Sequence, residues 1–429
     1  MHKIGVFMLD IRLFRESPEI VIHNLTKRGM DTSKVQEIID LDKLRREKIT
    51  SVNTLKKERN DVAMRIRDLK SEGKEIQDEI DRMRTINDDI DRLDQEIQHV
   101  ESSLDTLLLR MPNILHESVP VGEENVTIRE WGERDHLGFP AKGHTEVLQA
   151  LGKVDIERAA KIAGSRFYFL KDELVMLDYA LMRFSLDYMA EQGYTLIEPP
   201  YMMKRRPYEG VTDLGDFGDV MYKVEDEDLY LIATSEHPMA AMYMDEIFES
   251  DGLPLKMAGI SPCFRKEAGS HGKDTKGIFR VHQFNKVEQF IFCRPEESWN
   301  YLEELIGNAE DLYRRLEIPY RIVNICTGDI GTVAAKKYDL EAWMPAQCTY
   351  RELVSCSNCT DYQARRLNVR YRTKDGNVMC HTLNSTAIAT TRTLVALVEN
   401  YQNEDGSITI PQALRPYVGN RKEIGVGES

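Results

Sequence analysis

The sequence lacks several features that would assign it to a class at once. Its 429 residues contain no apolar run near the roughly 18 residues that a membrane span requires, so we expect no membrane association. Residues 1–8 have no long apolar core and no small-residue cleavage site, so we expect no secretory signal. The loops G-x-x-x-x-G-K-[ST] and G-x-G-x-x-G are missing, which argues against the nucleotide-binding folds that depend on them.

Cysteine and net positive charge are also in short supply. Seven cysteines, an odd number scattered over a large chain, favour reduced thiols and a cytoplasmic location. The formal net charge of −15 argues against attraction of the whole surface to nucleic acid, but it leaves room for a local basic stripe. The length is sufficient for two or three domains of ordinary size.

A long helical hairpin is predicted over about residues 35–110, after a short strand and a helix that we expect in residues 8–30. Apolar residues recur at steps of three and four, and a turn signal lies at 71–73. This spacing is typical of a coiled-coil seam, and a single turn between two arms implies that the arms are antiparallel. The clearest seam consists of Met83, Ile86, Ile90, Leu93, Ile97, Val100, Leu104 and Leu107.

The two arms of this hairpin carry opposite charge. Residues 43–70 hold ten Lys or Arg against four acidic residues, and residues 75–105 hold eleven acidic residues against three Arg. The arms could simply attract each other, because charges on coiled coils usually lie on solvated faces. Alternatively, the basic arm could lie along a phosphate backbone. The side chains available for that contact are Arg45, Arg46, Lys48, Lys56, Lys57, Arg59, Arg65 and Arg67.

The stretch from Phe264 to Glu288 is predicted to form two strands joined by a loop over residues 268–277. By alternation, one face of the second strand carries Arg280, His282, Phe284, Lys286 and Glu288. Arginine binds phosphate oxygens bidentately, phenylalanine stacks on a flat ring and glutamate pairs with an ammonium group. The stretch therefore suits a ligand with phosphates, a base and an amine, although a solvated hairpin whose charges pair with each other fits equally well.

The second half of the chain is predicted to be a mixed domain. Helices are expected over residues 172–192 and 296–315, and another follows 380–386. The strands are short, charged and alternating, which favours an antiparallel sheet. Cys356 and Cys359 form a C-x-x-C that could bind zinc, but the chain has no second C-x-x-C, so a structural pair is favoured. The strands are expected over 281–293, 320–325, 338–344 and 350–355.

Together these pieces resemble the seryl-tRNA synthetases of the common, bacterial/eukaryotic-like type, within the class II aminoacyl-tRNA synthetases. The three class II motifs resemble the strand at 193–200 with its preceding helix, residues 264–267 with 277–288, and residues 384–386 with Arg392. The resemblance implies an α+β fold, in which an N-terminal antiparallel coiled-coil hairpin precedes a class II catalytic domain with an antiparallel β-sheet flanked by helices. It also implies a tRNA-binding domain over 1–115, a catalytic domain over 116–429, and a homodimer built partly on motif 1.

The resemblance further implies the reaction and its ligands. With ATP and Mg²⁺, L-serine gives seryl-adenylate and pyrophosphate, and the seryl group then passes to the 3′ end of tRNA(Ser). The residues matched to ATP are Arg265, Glu267, Arg280, Phe284, Glu352, Ser355 and Arg392. Among these, Arg265 and Arg392 would be the catalytic cations, and Glu352 and Ser355 would hold Mg²⁺. The residues matched to serine are Thr234, Glu236, Arg265, Glu288, Asn384 and Thr386.

For the hairpin, the resemblance implies contact with the long variable arm of serine tRNA through shape rather than base sequence. The loop of motif 2, with His271, Lys273 and Lys276, could approach the acceptor end. The residues matched to tRNA are Arg45, Lys56, Lys57, Arg59, Arg65 and Arg67. The sequence leaves open whether tRNA(Sec) is also charged.

Two other interpretations stay open. An adenylate-forming ligase could load another acceptor, such as a carrier protein, but such a ligase has no use for a basic hairpin. A non-catalytic coiled-coil scaffold gains nothing from Arg265, Glu288, Glu352 and Arg392 together, so this set of residues argues against it. Active-site zinc, which belongs to the rare methanogen type, is not implied.

Overall fold

The computed structural model describes residues 9–134, 137–212, 220–267 and 276–425. The chain divides into two compact units, with the division between Met111 and Pro112. Within the described ranges, no helix combines the length and the apolar character that crossing a membrane would need.

The described part of the first unit forms helices from Ile11 onward, so the expectation of a short strand in residues 8–30 is wrong for the part that is described. The Asp10 side chain accepts a hydrogen bond of 2.9 Å from the Arg12 N–H, which caps the first helix. Pro18 opens the second helix at a position where no N–H is needed. The helices are α1 (Ile11–Glu16), α2 (Pro18–Lys27), α3 (Ser33–Ser71) and α4 (Gln77–Leu108).

Helices α3 and α4 form the predicted antiparallel hairpin. The chain reverses after Ser71, where Gly73 adopts a left-handed φ of 70° that a side chain would disfavour. A small apolar core lies between the arms and includes Val52, Val62, Ile86 and Ile90, with Leu55, Ile66, Met83, Leu93 and Ile97 packed against it. The seam therefore forms where the spacing of three and four predicts it.

The second unit is built on an eight-stranded sheet with the order β1-β10-β11-β12-β15-β9-β8-β4. Every neighbouring pair in this sheet is antiparallel except β4 and β8, which are parallel. The predicted antiparallel sheet is thus confirmed. Its strands are β1 (Val126–Trp131), β4 (Thr195–Ile197), β8 (Leu255–Phe264), β9 (Gln283–Cys293), β10 (Tyr320–Asn324), β11 (Lys336–Met344), β12 (Thr349–Thr360) and β15 (His381–Ala389).

The other strands form small pairs and a three-stranded sheet around this centre. They are β2 (Val154–Asp155), β3 (Phe169–Leu170), β5 (Met202–Met203), β6 (Tyr230–Leu231), β7 (Ile247–Phe248), β13 (Arg370–Thr373), β14 (Gly376–Met379), β16 (Ile408–Thr409) and β17 (Glu423–Ile424). The α-helices of this unit are α5 (His144–Ala150), α6 (Ile156–Ala163), α7 (Glu173–Glu191), α8 (Arg205–Glu209), α9 (Glu236–Ala241), α10 (Ser298–Arg315), α11 (Tyr362–Leu367) and α12 (Thr390–Asn400). Short 3₁₀ turns lie at Ser250–Gly252, Pro295–Glu297 and Gln412–Val418.

The long helices α7, α10 and α12 bury their apolar faces in one core with the sheet. On β9, Val287 and Ile291 belong to this core, whereas Phe290 and Phe292 pack in a second cluster with residues of α9 and α11. Alternation along β9 therefore directs Lys286 and Glu288 away from the long helices. That second side of the sheet is the side that carries the predicted site.

Two predicted elements have different limits in the structure. The strands of the central stretch end at Phe264 and resume at Gln283, so Arg280 and His282 precede the second strand rather than lying on it. Residues 381–389 form a full strand, β15, before the predicted final helix begins. The first segment leaves the strand pattern, whereas the second is a regular strand because it pairs with β9 and β12.

Candidate active site

Strand register places five residues in one row across the open side of the sheet. Glu288 of β9 lies between Gly259 of β8 and Thr386 of β15. Ser355 of β12, next to Thr386 in this register, faces Asp339 of β11. Directly opposed residues of antiparallel strands project from the same face. The row therefore joins predicted amino-acid and metal ligands that are far apart in sequence.

Glu288 is the most deeply buried acid of this row, with 1% of its surface exposed. Its Oε2 atom lies 2.5 Å from Nζ of Lys286 and accepts a hydrogen bond of 3.3 Å from Thr386 Oγ1. Burial raises the pKa of Glu288, and the positive charge of Lys286 opposes that rise. Lys286 is also buried and was not among the predicted ligands, although it alternates with Phe284 and Glu288 in the sequence.

A second carboxylate enters the pocket from the start of α9. Oε1 of Glu236 accepts two hydrogen bonds of 3.1 Å, from Gln363 Nε2 on α11 and from Asn384 Nδ2 on β15. Its backbone N–H donates to Thr234 Oγ1 at 3.1 Å, which fixes the entry to the helix. Burial raises the pKa of Glu236 to about 7, and the charge of Glu288 adds to the rise. Gln363 is a further site residue that the prediction omitted.

The residues on either side of the motif 2 loop form two contacting pairs. Arg265 directly follows β8, donates from Nε to the Ala233 carbonyl at 3.3 Å, and lies 5.3 Å from the centroid of the Phe284 ring. Nη1 of Arg280 lies 2.8 Å from Oε2 of Glu267. These four residues were predicted to surround a nucleotide, and the fold brings them together.

Arg392 of α12 reaches the sheet at Glu352. Its Nη1 donates to the Glu352 carbonyl at 2.9 Å and lies 3.4 Å from Oε1 of the same residue. The guanidinium groups of Arg392 and Arg351 lie 5.1 Å and 4.2 Å from the centroid of the Phe279 ring, which is within the range of cation–π attraction. Partial loss of water around the Glu352 carboxylate acts to raise its pKa, but the positive charges around it, Arg392 first, hold that pKa below its ordinary value.

A cavity of about 280 Å³ lies beside these groups and is lined in part by Glu236, Ser355 and Asn384. The Glu352 side chain is 42% exposed, so its carboxylate can still accept a ligand. A carboxylate and a hydroxyl are hard oxygen donors that suit Mg²⁺, which takes few protein ligands beside water and phosphate oxygens. Within the described ranges, no cluster of three or more His, Cys, Asp or Glu side chains suits a metal ion. A cation here would therefore depend on the phosphates of its substrate.

Known proteins share both units of this chain. Residues 222–401 match the model of the tRNA synthetase class II core domain (G, H, P, S and T), and residues 8–115 match that of the seryl-tRNA synthetase N-terminal domain. The serine–tRNA ligase of Methanoculleus marisnigri is 55% identical over 420 residues, which cover 96% of this chain and 99% of that protein. The serine–tRNA ligase of Thermococcus onnurineus is 52% identical over 440 residues, with 96% of each chain covered.

The chain belongs to the seryl-tRNA synthetase family. The crystal structure of seryl-tRNA synthetase from Pyrococcus horikoshii complexed with ATP matches this synthetase with a TM-score of 0.94 at 51% identity, covering 98% of this chain and all of that one. The cytoplasmic serine–tRNA ligase from Naegleria fowleri in complex with AMP matches with a TM-score of 0.88 at 40% identity, covering 98% of this chain and 99% of that one. The predicted enzyme class and fold are thus confirmed. The Methanoculleus marisnigri and Thermococcus onnurineus relatives are archaeal, so the bacterial/eukaryotic-like label has no support.

The basic arm of this synthetase is only partly neutralised by the acidic arm. Ion pairs across the hairpin join Arg45 to Glu101 at 2.8 Å, Lys48 to Glu96, and Arg65 to Glu79 at 3.9 Å. In contrast, Lys56, Lys57, Arg59 and Arg67 form no ion pair with any residue that the structure describes. Attraction between the arms therefore accounts for only part of the basic charge.

Some predicted and some unpredicted residues of the synthetase need separate mention. His271 and Lys273 of the motif 2 loop lie outside the described residues. Asp339 was not predicted, yet it is buried beside Ser355 with Nζ of Lys337 3.4 Å from its Oδ2. Only the pairing of β11 with β12 reveals that position, so no local sequence signal could have found it.

Proposed function

We propose that this synthetase binds L-serine between α9, β9 and β15, activates it with ATP, and transfers it to the 3′ end of tRNA(Ser). The observation that carries the assignment is the convergence of two carboxylates, Glu236 and Glu288, with Arg265 around one pocket. Carboxylates suit an ammonium group, and an arginine suits a carboxylate or a phosphate. An amino acid placed beside a nucleotide satisfies all three groups.

Within this pocket, Glu288 takes the ammonium group of serine, assisted by Thr234 and Glu236. Thr386 and Asn384 lie at the side-chain end and bind the hydroxyl group. Alanine is rejected because it leaves those buried polar groups unpaired, which is a heavy penalty. Threonine offers the same hydroxyl, so it must be excluded by a clash with its additional methyl group.

The nucleotide extends along the motif 2 and motif 3 residues. Arg265 holds the α-phosphate together with the carboxylate of serine, and Phe284 stacks on the adenine. Glu267 and Arg280 lie beside the nucleotide, and Arg392 binds the γ-phosphate. The ATP complex of the Pyrococcus horikoshii relative supports a nucleotide in this fold.

Mg²⁺ would be held by Glu352 and Ser355. The oxygen donors fit the ion, and the low pKa of Glu352 keeps its carboxylate charged and able to coordinate. When bound, the ion neutralises charge on the phosphates. Zinc is not part of the proposal, because a structural zinc site needs further ligands beside Cys356 and Cys359, and within the described residues no three His, Cys, Asp or Glu side chains cluster in a way that suits a metal ion.

Formation of the adenylate then needs positioning of the reactants rather than proton transfer. An oxygen of the serine carboxylate forms a bond to the α-phosphorus, and the bond from that phosphorus to the departing pyrophosphate breaks. The carboxylate is already ionised near neutral pH, so no general base is required. Arg265 and Arg392 orient the reactants and neutralise the developing charge. In the second step a terminal hydroxyl of tRNA attacks the carbonyl carbon, its proton passes to solvent, the bond from that carbon to the phosphate oxygen breaks, and AMP leaves.

Residues 1–115 form the tRNA-binding domain in this proposal, and residues 116–429 form the catalytic domain. Arg45, Arg59 and Arg65 lie along α3 with the other cations assigned to tRNA. The cations without ion pairs to described residues are Lys56, Lys57, Arg59 and Arg67, and these are the most available for phosphate contacts. This distribution supports a role of the first arm in tRNA binding despite the acidic chain.

We also propose that the synthetase is a cytoplasmic homodimer. Helix α7, which belongs to motif 1, exposes 54% of Met176 and 64% of Tyr179 one turn apart. Phe169 of β3 is also exposed. Apolar side chains grouped in this way are typical of a surface that a second subunit covers.

The decisive experiment is ATP–pyrophosphate exchange with serine, threonine, alanine, cysteine and glycine, followed by charging of purified tRNA(Ser) and tRNA(Sec). We expect exchange with serine alone and charging of tRNA(Ser). Exchange without charging would instead favour a ligase with another acceptor. A lack of exchange with every amino acid would mean that the resemblance extends to the fold alone. That result would favour a non-catalytic scaffold.

A further inference from the structure

A buried histidine, His144, contacts the chain where the motif 2 loop returns to the sheet. It is the first residue of α5. The Ile278 N–H donates to Nε2 of this ring at 3.4 Å, and Nδ1 lies 3.2 Å from Oε1 of Glu399. A backbone N–H can only donate, so Nε2 is the accepting nitrogen and the ring proton lies on Nδ1, where Glu399 accepts it. The ring therefore links motif 2 to the last turn of α12.

The preceding residue, Gly277, approaches this histidine closely. Gly277 has a left-handed φ of 81°, and a Cβ at this position would overlap Nε2 of His144 and lie 2.6 Å from Oγ1 of Thr145. Only glycine combines this conformation with so little space. The returning backbone of motif 2 therefore packs directly on the start of α5.

Glu399 is fully buried and joins this link to a third segment. Besides the His144 ring, its carboxylate accepts hydrogen bonds from the Ala346 N–H at 3.3 Å and from Gln347 Nε2 at 3.2 Å, both in the turn between β11 and β12. Oε1 of Gln347 accepts in turn a hydrogen bond of 2.6 Å from Arg351 Nη1. One carboxylate thus fixes α5 and the β11–β12 turn to α12.

Glu399 and Arg392 lie on the same side of α12, because they are seven residues apart, which is close to two helical turns. The Arg392 guanidinium lies 5.1 Å from the centroid of the Phe279 ring. Phe279 directly follows Ile278, whose N–H is bound by His144. The position of the ring that supports Arg392 therefore depends on the hydrogen bond to His144.

We propose that His144 and Glu399 are positioning residues that hold the returning segment of motif 2 against α12, so that Phe279 keeps Arg392 oriented toward the γ-phosphate of ATP. This inference rests on the proposed contact of Arg392 with that phosphate. Arg280, one residue beyond Phe279, has its own ion pair with Glu267. The serine pocket is formed by α9, β9 and β15, so we expect the effect to be confined to the terminal phosphates.

The inference predicts a difference between ATP and AMP. AMP lacks the β- and γ-phosphates, so its affinity should not depend on the orientation of Arg392. Loss of the acceptor at Nε2 of His144 should raise the KM for ATP about two- to tenfold, which is the range that one intramolecular hydrogen bond corresponds to. The inhibition constant of AMP and the KM for serine should stay unchanged. A general loss of packing would not distinguish the two nucleotides.

Two variants separate the roles of the two ring nitrogens. His144→Gln can place its amide oxygen near the position of Nε2 and accept from Ile278. His144→Asn can donate to Glu399 from the position of Nδ1 but does not reach Ile278. We therefore expect the KM for ATP to rise in His144→Asn and to recover in His144→Gln.

Tyr401→Phe is the matched control. It removes the hydrogen bond of 2.8 Å from the Tyr401 hydroxyl to the Leu316 carbonyl, directly after α12 and only two residues from Glu399. This bond does not involve motif 2, so the variant should lower the Tm and leave the KM for ATP unchanged.

ATP–pyrophosphate exchange by the full-length protein at saturating serine gives the KM for ATP, and AMP added as a competitor gives its inhibition constant. An unchanged KM for ATP in His144→Asn, or a parallel rise in the inhibition constant of AMP, would overturn the inference. Equal effects of His144→Asn and His144→Gln would assign the residue to packing alone.

The same assay separates this inference from the proposed function. A lack of exchange by the unmodified protein would contradict the proposed function itself, whereas normal exchange with no difference between ATP and AMP in the variants would contradict only the positioning role. If His144→Asn does not fold, Phe279→Leu removes the ring at the other end of the link. It should raise the KM for ATP without changing the inhibition constant of AMP, and the absence of that difference would overturn the inference.

Discussion

Replacement of Lys56, Lys57 and Arg67 together with alanine should weaken tRNA charging and leave adenylate formation unchanged. At about 100° per residue, Lys56 and Arg67 lie within roughly 20° of each other around α3. Lys57 follows Lys56 in sequence and lies about 100° further around the helix. None of the three forms an ion pair with any described residue, so each can contact a phosphate without breaking a bond within the protein.

The size of the effect follows from counterion release. Each phosphate contact contributes about 0.7 to 0.9 to the slope of log affinity against log salt. At about 0.15 M salt, one contact is therefore worth roughly four- to fivefold, and three contacts are worth roughly 50- to 150-fold. We expect the KM for tRNA(Ser) to rise by an amount of this order and the salt slope to fall by about 2 to 3.

The comparison is the triple alanine variant of Arg45, Lys48 and Arg65. It removes the same charge from the same helix, but these cations already pair with the acidic arm. Arg45 and Arg65 are also assigned to tRNA, but their ion pairs compete with phosphate contacts, so we expect a smaller rise in KM. Charging should be measured across a salt series, with serine-dependent pyrophosphate exchange without tRNA as the internal reference. An equal rise in KM for both variants would show that total charge matters rather than pairing. Loss of exchange in either variant would refute the separation of the two functions.

Three further predictions concern the catalytic unit. Arg392→Gln should lower serine-dependent exchange by about 10- to 150-fold, since a charge-assisted contact is worth about 1.5–3 kcal/mol. Serine binding without ATP should stay intact, and normal exchange would contradict the proposed contact of Arg392 with the γ-phosphate. Gly259→Ala should lower the Tm and raise the KM for serine, because a Cβ would lie 2.9 Å from Cβ of Ser235, which cannot rotate away, and 2.8 Å from the end of the Met239 side chain. The cost should be about 1–3 kcal/mol, and an unchanged Tm would exclude this crowding. Tyr179→Asp should shift sedimentation toward a monomer, whereas an intact dimer would place the interface elsewhere.

The sequence predicted the regular elements well, because their signals are local. The seam from Met83 to Leu104 repeats at helical spacing, and the paired arms bury residues of that seam. Helix α7 follows the same logic, because Leu174, Leu177 and Leu181 recur at steps of three and four and all lie in the core. A pattern of this kind depends only on which face of an element is apolar, and the spacing of apolar residues in the sequence shows that face directly.

The elements around the site were predicted less accurately. Alternation placed Arg280 and His282 on a strand, but the strand begins at Gln283, and the His282 ring nitrogen instead lies 2.8 Å from the Arg265 carbonyl. In the hairpin, the opposite charges of the arms did not reveal which cations would pair. Both outcomes depend on contacts between segments, which local periodicity does not contain.

By itself, the sequence determined the helical hairpin and the antiparallel sheet, and the family resemblance supplied the candidate ligand residues. Only the tertiary structure decided that Lys286 forms an ion pair with Glu288, that Gln363 and Asn384 converge on one oxygen of Glu236, and that Asp339 lies beside Ser355. The physical reason is strand register and burial. Register brings together residues that are distant in sequence. Burial then strengthens the electrostatic interactions between their charges, and no single segment of the chain specifies those interactions.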